Sequence, residues 1–321
     1  MKQAAVGIDI GATYTKLGIM NKAGELLASA RMETESSLTF EVYLDKLSSE
    51  IKTLIAMLDG DIEILGAGIG VPNGNFYTGD IEHAANLPWK GIVPIVKELS
   101  SRIGLPAVMT NDANAAAIGE MLYGGAQGLN DFIVVTLGTG LGGGIVAGGK
   151  LLHGRHGMAG ELGHCTAFID GRKCGCGKLG CLETYVSASG IVRTAMELMA
   201  NSKEKSILRS ISFDDMTSER IADAAVNGDA IALAAFEFAG KVLGIKLADA
   251  IAHTDPEAIF IFGGLAGAGD LIIKPAKKYM EEHLQPVFKN KIDILPSKLS
   301  GTTGAIAGAC ALIFENYHVE K

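Results

Sequence analysis

The chain of 321 residues is predicted to fold as an α/β protein with two lobes and a central cleft, from two observations. Short apolar runs that end in glycine-containing turns alternate with longer segments whose apolar residues recur at helical spacing. A β-hairpin with glycine and hydroxyl residues in its turn occurs near the N-terminus and again within residues 131–154. One such hairpin in each half indicates a duplicated fold with a cleft between the copies, although two ordinary hairpin turns would give the same pattern.

The first half is predicted to begin with an antiparallel meander, because three β-type runs follow one another with only short turns between them. The next segment carries apolar residues every three or four positions, which predicts an amphipathic helix. The elements expected in this half are strands at 4–10, 14–20 and 25–31, a helix at 40–58, a strand at 65–71, a helix at 91–103, a strand at 106–110 and a helix at 113–123.

The second half is expected to repeat the hairpin and then to become mostly helical. Aligning Gly11 with Gly138 places Asp9 on Thr136, so that the two hairpin turns correspond residue by residue. No change of composition marks a linker, which favours one compact two-lobed body. The later elements expected are helices at 187–201, 217–227 and 230–253, a strand at 258–264, and helices at 270–284 and 303–315.

The acidic composition excludes one class of partner. The formal net charge is −8, and lysine and arginine are scattered along the chain without a basic run. Nonspecific binding to nucleic acid requires clustered basic side chains that displace counterions from phosphates. We therefore expect no nucleic-acid partner.

Neither a membrane span nor an export signal is predicted. Asp9 interrupts the apolar N-terminal run, which is too short for a signal peptide. The most hydrophobic stretch, residues 230–252, contains Glu237 and Lys241 among other charges, as expected for a core helix. The five cysteines fit reduced thiols better than a disulfide framework. We therefore expect a cytoplasmic protein.

A metal site is predicted between His164 and Cys181. The stretch GHCTAFIDGRKCGCGKLGC contains one histidine and four cysteines, three of them clustered at its end, and its glycines allow the backbone to fold around a point. Soft ligands at this spacing indicate one tetrahedral structural zinc of the Cys₃His kind. Cys165 and Cys310 lie outside the expected set, which consists of His164, Cys174, Cys176 and Cys181.

Three glycine-rich turns, each at the end of a β-run, are candidates for binding phosphate. The first combines Gly11, Thr13 and Lys16, whose backbone N–H, hydroxyl and charge suit an anion. Asp9 stands just before it, where a carboxylate can hold Mg²⁺. The other two turns are 137–143 and 263–267. One such turn is weak evidence, but three together indicate a nucleotide held in a cleft, without the Walker pattern.

Asp112 is the catalytic candidate. A strand is expected to end at Thr110 and a helix to begin near Ala113, so Asn111 and Asp112 lie at the positive end of a helix dipole. A carboxylate at the mouth of a cleft can accept a hydroxyl proton while the oxygen attacks phosphorus. The alternative is that the pair does no more than cap the helix.

The metal loop, residues 164–181, is also expected to bring polar side chains together into one surface, which we call the polar wall. Glu161 and Glu183 flank the loop, and carboxylates accept hydrogen bonds from neighbouring hydroxyls such as those of a sugar. His164 can bind metal through one ring nitrogen and donate from the other. The alternative is a purely structural zinc site with solvated glutamates.

These motifs together resemble those of the ROK family of sugar kinases, in the actin/hexokinase-like superfamily, from Asp9 to the C-terminal helix. Within that family the sequence is most similar to the glucokinases. The resemblance rests on DxGxTxxK from Asp9, the Asn111–Asp112 pair, LGTGLGGG at 137–144, ExGH from Glu161 and CxCGxxGCxE from Cys174. It implies an actin-like, ribonuclease H-like ATPase fold with a central cleft.

The resemblance implies phosphorylation of the 6-hydroxyl of a hexose, glucose above all, by ATP with Mg²⁺. Asp112 is then the general base. The implied sugar-binding residues are Gly74, Asn86, Asn111, Asp112, Glu161, His164 and Glu183. The implied nucleotide-binding residues are Asp9, Gly11, Thr13, Lys16, Gly138, Thr139, Gly140, Gly142, Gly263 and Gly264.

We expect a smaller lobe of residues 1–110 with 301–321, and a larger lobe of residues 111–300 that carries the zinc loop and a dimerisation surface. A homodimer or higher homo-oligomer is the family expectation. Other acceptors stay open, namely N-acetylglucosamine, N-acetylmannosamine, mannose and fructose. Two alternatives lie outside catalysis, a sugar-responsive repressor and a non-catalytic sugar sensor. A repressor would need a helix-turn-helix domain before Asp9, for which eight residues leave no room.

Overall fold

The computed structural model describes residues 2–35, 37–84, 86–299 and 301–315. Its centre consists of two five-stranded sheets, and a two-stranded ribbon lies beside the first. The strands are β1 (Lys2–Ile10), β2 (Tyr14–Asn21), β3 (Leu26–Glu33), β4 (Ile62–Gly70), β5 (Ile81–Glu82), β6 (Ile92–Val93), β7 (Ala107–Thr110), β8 (Phe132–Leu137), β9 (Leu141–Ala147), β10 (Lys150–Leu151), β11 (Ala258–Phe262) and β12 (Asp293–Pro296).

Helices cover both sheets and fill the space between them. The α-helices are α1 (Phe40–Ala56), α2 (Ile95–Ile103), α3 (Asp112–Tyr123), α4 (Glu183–Val186), α5 (Ala188–Asn201), α6 (Ser218–Val226), α7 (Ala230–Thr254), α8 (Asp270–His283) and α9 (Gly301–Phe314). Short 3₁₀ helices occupy Leu162–His164, Ile207–Ser210 and Gly264–Ala268.

The two large sheets have the same topology. The first has the order β3-β2-β1-β4-β7 and the second the order β10-β9-β8-β11-β12. In each, three antiparallel strands are followed by two parallel ones. The α/β prediction is therefore confirmed, and the two glycine hairpins occupy equivalent positions in a duplicated architecture.

Parallel strands of the first sheet bring the predicted site residues to one edge. Asp9 near the end of β1 is in register with Gly70 of β4, and Gly70 is in register with Thr110 of β7. Helix α3 begins two residues after Thr110. Ligands of α/β proteins bind outside the carboxyl ends of such strands.

The helix predicted over residues 91–103 is wrong at its start. Residues 92–93 form strand β6, and α2 begins at Ile95 after Pro94. Proline disfavours helical backbone in the residue before it, and its ring fixes a φ that suits the start of a helix. Three short elements, α4, β12 and the β5–β6 ribbon, have no counterpart in the prediction because they are too short to show a period.

Small residues bring α9 close to the first sheet and to α3. A Cβ atom added at Gly68 of β4 would collide with the carbonyl oxygen of Ala309, and one added at Gly119 would lie 2.9 Å from the Cα of Gly308. Helix α3 also packs on β8 and β9 of the second sheet. The pair α3–α9 therefore joins both sheets at the base of the cleft.

Helix α7 confirms the prediction of a core helix at residues 230–253. Its buried side chains include Phe236, Leu243 and Leu247, and they pack in the core of the second sheet. Among the helices of the described residues, none combines the length and apolar character that crossing a bilayer requires.

The close approach at Gly68 generates a stability prediction. Gly68→Ala inserts a methyl group against backbone, so we expect the free energy of unfolding to fall by about 2 kcal/mol. Gly267→Ala is the matched control, because a Cβ atom there meets nothing within 4 Å. Urea denaturation of both variants checks the difference, and equal stabilities would contradict the packing argument.

Candidate active site and metal centre

A cavity of about 740 Å³ lies at the carboxyl edge of the first sheet and collects nearly all predicted site residues. It is bounded by the hairpin after β1, the start of α3, the glycine-rich loop after β8, the metal loop and the start of α9. The predicted residues that line it are Asp9, Gly11, Lys16, Asn86, Asn111, Asp112, Gly138, Thr139, Gly140, Gly142, Glu161, His164, Glu183, Gly263 and Gly264.

Two of the predicted sugar- and nucleotide-binding residues, Gly74 and Thr13, are not among those that line the cavity. A Cβ atom at Gly74 would lie 2.7 Å from Val71 Cγ1 and 2.8 Å from the Thr110 carbonyl oxygen, so this position serves close packing behind the cavity wall. Thr13 is exposed at the hairpin turn, where its carbonyl accepts a hydrogen bond of 2.9 Å from Thr34 N–H. Direct ligand contacts at these two positions stay predictions.

Several lining residues were missed by the sequence reasoning. Pro72 and Asn73 follow β4, Phe262 ends β11, and Gly301 and Ala305 belong to α9. Asn73 adopts a positive φ of 56°, which is uncommon for a residue other than glycine. No motif marks these residues. Gly301 and Ala305 reach the cavity only because α9 returns to the first sheet.

Asp9 and Lys16 face one another across the first hairpin. The two residues pair directly between β1 and β2, and Lys16 Nζ lies 3.3 Å from Asp9 Oδ2. Burial raises the pKa of Asp9, and the lysine opposes that increase. A buried carboxylate with one adjacent cation is suited to a divalent cation that arrives with phosphate oxygens.

Asp112 is the first helical residue of α3, and Asn111 takes the capping role. Asn111 Oδ1 accepts a hydrogen bond of 2.8 Å from Ala113 N–H, and Asp112 Oδ1 accepts from the same N–H at 2.8 Å. Asn111 is therefore the N-cap, and Asp112 shares its N–H donor while also lining the cavity. Burial raises its pKa to about 6, the Asp9 and Glu161 carboxylates add to the increase, and the Ala113 N–H opposes it.

Glu161, His164 and Glu183 form the polar wall that the sequence predicted. Glu161 Oε1 accepts from Asn111 Nδ2 at 3.5 Å, and Glu161 Oε2 lies 3.9 Å from His164 Nε2. Burial raises the pKa of Glu161. Glu183 Oε2 accepts a hydrogen bond of 3.1 Å from Leu141 N–H. These contacts connect the wall to the start of α3 and to the glycine-rich loop.

The loop after β8 passes close to this wall. A Cβ atom at Gly140 would collide with Glu183 Oε2, which explains why glycine occupies the tip of the loop. Gly142 N–H donates to Thr136 Oγ1 at 3.1 Å, so the hydroxyl predicted to align with Asp9 stabilises the loop itself. The remaining backbone of the loop faces the cavity.

The four predicted metal ligands come together. His164, Cys174, Cys176 and Cys181 each offer an atom within 4.8 Å of the others. Cys176 Sγ lies 3.7 Å from Cys181 Sγ, and Cys174 Sγ lies 3.7 Å from His164 Nδ1. Zinc–sulfur bonds of about 2.3 Å in a tetrahedron place sulfurs about 3.8 Å apart, so the residues fit zinc.

The ligating geometry also connects the metal centre to the wall. His164 turns Nδ1 toward the sulfurs and Nε2 toward Glu161. Cys174 Sγ lies 3.5 Å from Glu183 Oε1. Cys310 is buried elsewhere, with its thiol 3.3 Å from the Ala5 carbonyl oxygen. An ion held by this set would fix His164 directly and would restrain Glu183 through the backbone, because Glu183 follows Cys181 by two residues.

Comparison with known proteins places the chain in a family. The model of the ROK family matches residues 5–316. The chain belongs to the ROK family. Among its ROK relatives, a glucokinase of Halalkalibacterium halodurans is 34% identical, over 98% of this chain and 97% of that one. An N-acetylmannosamine kinase of Escherichia fergusonii is 30% identical, over 86% and 88%.

A solved ROK structure confirms the fold. The glucokinase of Streptomyces griseus, crystallised with glucose and AMPPNP, superposes with a TM-score of 0.84 at 33% identity, over 97% of this chain and 99% of that one. The two-lobed, actin-like ATPase fold that the resemblance implied is therefore the fold of this ROK protein.

Proposed function

We propose that this ROK protein is an ATP-dependent hexose kinase that transfers the γ-phosphoryl group of ATP to the 6-hydroxyl of glucose. The observation that carries the proposal is the position of Asp112. Its carboxylate lines the same cavity as the two glycine-rich hairpin turns and the wall of Glu161, His164 and Glu183. The glucokinases among its relatives, one of them crystallised with glucose and an ATP analogue, support it.

Asp112 acts as the general base in this proposal. Phosphoryl transfer depends mainly on positioning and charge neutralisation, with a carboxylate accepting the proton of the attacking hydroxyl. A pKa of about 6 leaves Asp112 ionised at neutral pH and makes it a better proton acceptor than an ordinary aspartate. Its place in the first turn of α3 fixes the direction of the carboxylate relative to the wall.

The nucleotide is assigned to the glycine-rich turns. The N–H groups of Leu141 and Gly142 are already used on Glu183 and Thr136, so phosphate oxygens are assigned to the backbone N–H groups of Thr139 and Gly140 and of the turn after Gly11. Gly263 and Gly264 suit the nucleoside because they carry no side chain. Asp9 would hold the Mg²⁺ that accompanies ATP. This ion neutralises phosphate charge, while Lys16 supplies a second positive charge beside Asp9.

The sugar is assigned to Asn86, Asn111, Glu161, His164 and Glu183, which all line the cavity. Carboxylates and an imidazole offer several hydrogen bonds to adjacent hydroxyls, as a hexose requires. A structural zinc on the cysteines would keep His164 and Glu183 in position before sugar arrives. Such preorganisation lowers the entropy cost of binding.

We assign the mobile units to residues 1–110 with 301–321 and to residues 111–300. Closure of these lobes on sugar would keep water, a competing acceptor, away from the γ-phosphoryl group. Residues 316–321 of the smaller lobe lie outside the described residues. A homodimer and a cytoplasmic location stay expectations.

A second acceptor has specific support. The relative named N-acetylmannosamine kinase shows that a ROK chain 30% identical to this one acts on an N-acetylhexosamine. The space beside carbon 2 of the sugar decides between these acceptors, and Asn73 and Asn86 line the nearest candidate wall.

A coupled ADP-release assay across hexoses tests the proposed function. We expect glucose to give the highest kcat/KM among glucose, mannose, fructose, N-acetylglucosamine and N-acetylmannosamine, with no activity when Mg²⁺ is omitted. A preference for N-acetylmannosamine would favour the second acceptor. Absence of ADP release with every sugar would refute the kinase assignment.

Asp112 generates a paired prediction. Asp112→Asn should lower kcat by ~10² or more and leave glucose affinity within a few-fold. In the unaltered protein kcat/KM for glucose should fall about tenfold per pH unit below pH 6, because the raised pKa means that the base is lost as pH falls through about 6. Asp270→Asn is the control, an exposed carboxylate in the first turn of α8. Near-normal turnover of Asp112→Asn would disprove the role.

Metal removal should weaken sugar binding and stability together, because metal binding is coupled to the folding of its loop. Cys176→Ser should lower zinc content, thermal stability and glucose affinity. Cys165→Ser, outside the ligand set, should change none of them. Metal analysis, thermal denaturation and glucose titration measure the three effects. Unchanged glucose affinity in zinc-depleted protein would contradict the role of the metal loop.

A further inference from the structure

Arg172 is a buried cation in the metal loop. Among the lysines and arginines of the described residues, it is the one whose side chain lies inside the protein, with only 7% of its surface exposed. A charged group removed from water destabilises the fold unless it is paired and hydrogen-bonded. Arg172 lies two residues before the metal ligand Cys174 and does not line the catalytic cavity. Its contacts inside the protein must therefore explain its burial.

The guanidinium of Arg172 donates hydrogen bonds to two helices at once. Nη1 donates to the Thr184 carbonyl at 2.7 Å and to the Gly190 carbonyl at 3.3 Å. Nη2 donates to Thr194 Oγ1 at 2.9 Å and to Glu197 Oε2 at 2.5 Å. Thr184 belongs to α4, and the other three acceptors belong to α5. The planar group therefore fastens α4 to the side of α5.

Tyr185 of α4 adds a second connection to Arg172. Its hydroxyl accepts a hydrogen bond of 2.8 Å from the Arg172 backbone N–H, and the centre of its ring lies 4.5 Å from the guanidinium carbon. A Cβ atom at Gly171 would collide with the same hydroxyl, so glycine allows this close contact. The Arg172 carbonyl accepts from Gly180 N–H at 2.8 Å, which joins the two sides of the cysteine-bearing part of the metal loop. Side chain and backbone of Arg172 therefore both connect this loop to α4.

These contacts converge on Glu183, the first residue of α4. Cys181 lies two residues before Glu183, and Thr184 follows it directly. A helix of one turn leaves its last carbonyl groups without partners inside the helix, so other groups must hold it. The hydrogen bond from Arg172 supplies such a partner for the Thr184 carbonyl. A metal on Cys181 would restrain the chain before Glu183, whereas Arg172 restrains it after Glu183.

We propose that Arg172 is a positioning residue for the sugar site, because it holds Glu183 toward the cavity independently of the metal. Glu183 Oε2 accepts from Leu141 N–H at 3.1 Å, and Glu183 lines the catalytic cavity. Arg172 does not line that cavity, so it acts on the sugar through α4. The role in sugar binding rests on the proposed function, which assigns Glu183 to sugar, whereas the attachment of α4 does not.

Arg172→Lys tests this role, because it keeps the charge beside Glu197 but loses the planar fork that reaches two helices. We expect the KM for glucose to rise about tenfold, while kcat and the KM for ATP stay within about twofold, because Glu183 contributes to sugar binding alone. Zinc content should not change, because the four ligands are intact. Arg193→Lys is the matched control, since this half-exposed arginine pairs with the other carboxylate oxygen of Glu197, and it should leave all these values unchanged.

Amide hydrogen exchange measures the position of Glu183 without a kinase assay. Glu183 Oε2 accepts from the Leu141 N–H, so this amide should exchange about tenfold faster in Arg172→Lys. The amides of β1 and β4 in the first sheet should keep their rates. A general loss of stability would instead accelerate exchange in both sheets, and that result would overturn a local role for Arg172.

Tyr185→Phe is a milder second variant, because it removes one hydroxyl and leaves the ring in place. It should raise the KM for glucose about two- to threefold and accelerate the same Leu141 amide. A normal KM for glucose in every variant that folds would overturn the role in sugar binding, even if the Leu141 amide is faster. Loss of zinc together with a higher KM for ATP would assign Arg172 to the stability of the metal loop instead.

Failure of the proposed function gives a different result. If the unaltered protein neither binds nor phosphorylates glucose, the assignment of Glu183 to sugar is wrong. The exchange rate of the Leu141 amide still decides in that case whether Arg172 holds Glu183 in place, and an unchanged rate in both Arg172→Lys and Tyr185→Phe would overturn that attachment.

Discussion

Four carboxylates around one cavity impose the constraint on which this structure depends. Asp9, Asp112, Glu161 and Glu183 all line the same space, where neighbouring negative charges repel one another and burial raises the pKa values of Asp9, Asp112 and Glu161. Each is held by a different element, so the fold separates them while directing them to one point. Lys16, the N-terminus of α3 and the loop N–H groups offset part of the cost. In the proposed function, a substrate rich in hydroxyls and a cation bound with the nucleotide would offset more of it.

The elements that hold these carboxylates differ in how they resist movement. Asp9 lies near the end of β1, where hydrogen bonds to β2 and β4 fix the backbone. Asp112 begins α3, whose contact with α9 holds it in place. Glu161 immediately precedes a 3₁₀ turn and Glu183 begins a helix of one turn, so both lie where the chain has little regular structure. Irregular segments lack regular backbone hydrogen bonds, so side chains must hold them. The sulfur and imidazole ligands of the metal set supply that support.

Close packing of small residues produces the cleft itself. Glycines on β1, β4, α3 and α9 remove the side chains that would keep these elements apart. The two sheets can then share one pair of helices at the base and leave their carboxyl edges open above it. The same packing brings Gly301 and Ala305 to the cavity, so the C-terminal helix contributes to both the core and the site. The same close packing of small residues therefore produces both the two-sheet architecture and part of the binding surface.

Local pattern in the sequence determined most of the elements and the chemistry of the site. Alternation and helical periodicity predicted nearly every long strand and helix, and four soft ligands within eighteen residues predicted the metal set. The Asn111–Asp112 pair marked the junction of strand and helix. The tertiary structure alone decided which residue caps that helix, that Gly74 packs behind the wall, and that Asn73, Phe262 and α9 line the cavity. It alone raised the pKa of Asp112. Periodicity reports contacts within an element, whereas burial, charge repulsion and cavities depend on residues far apart in the chain that only packing brings together.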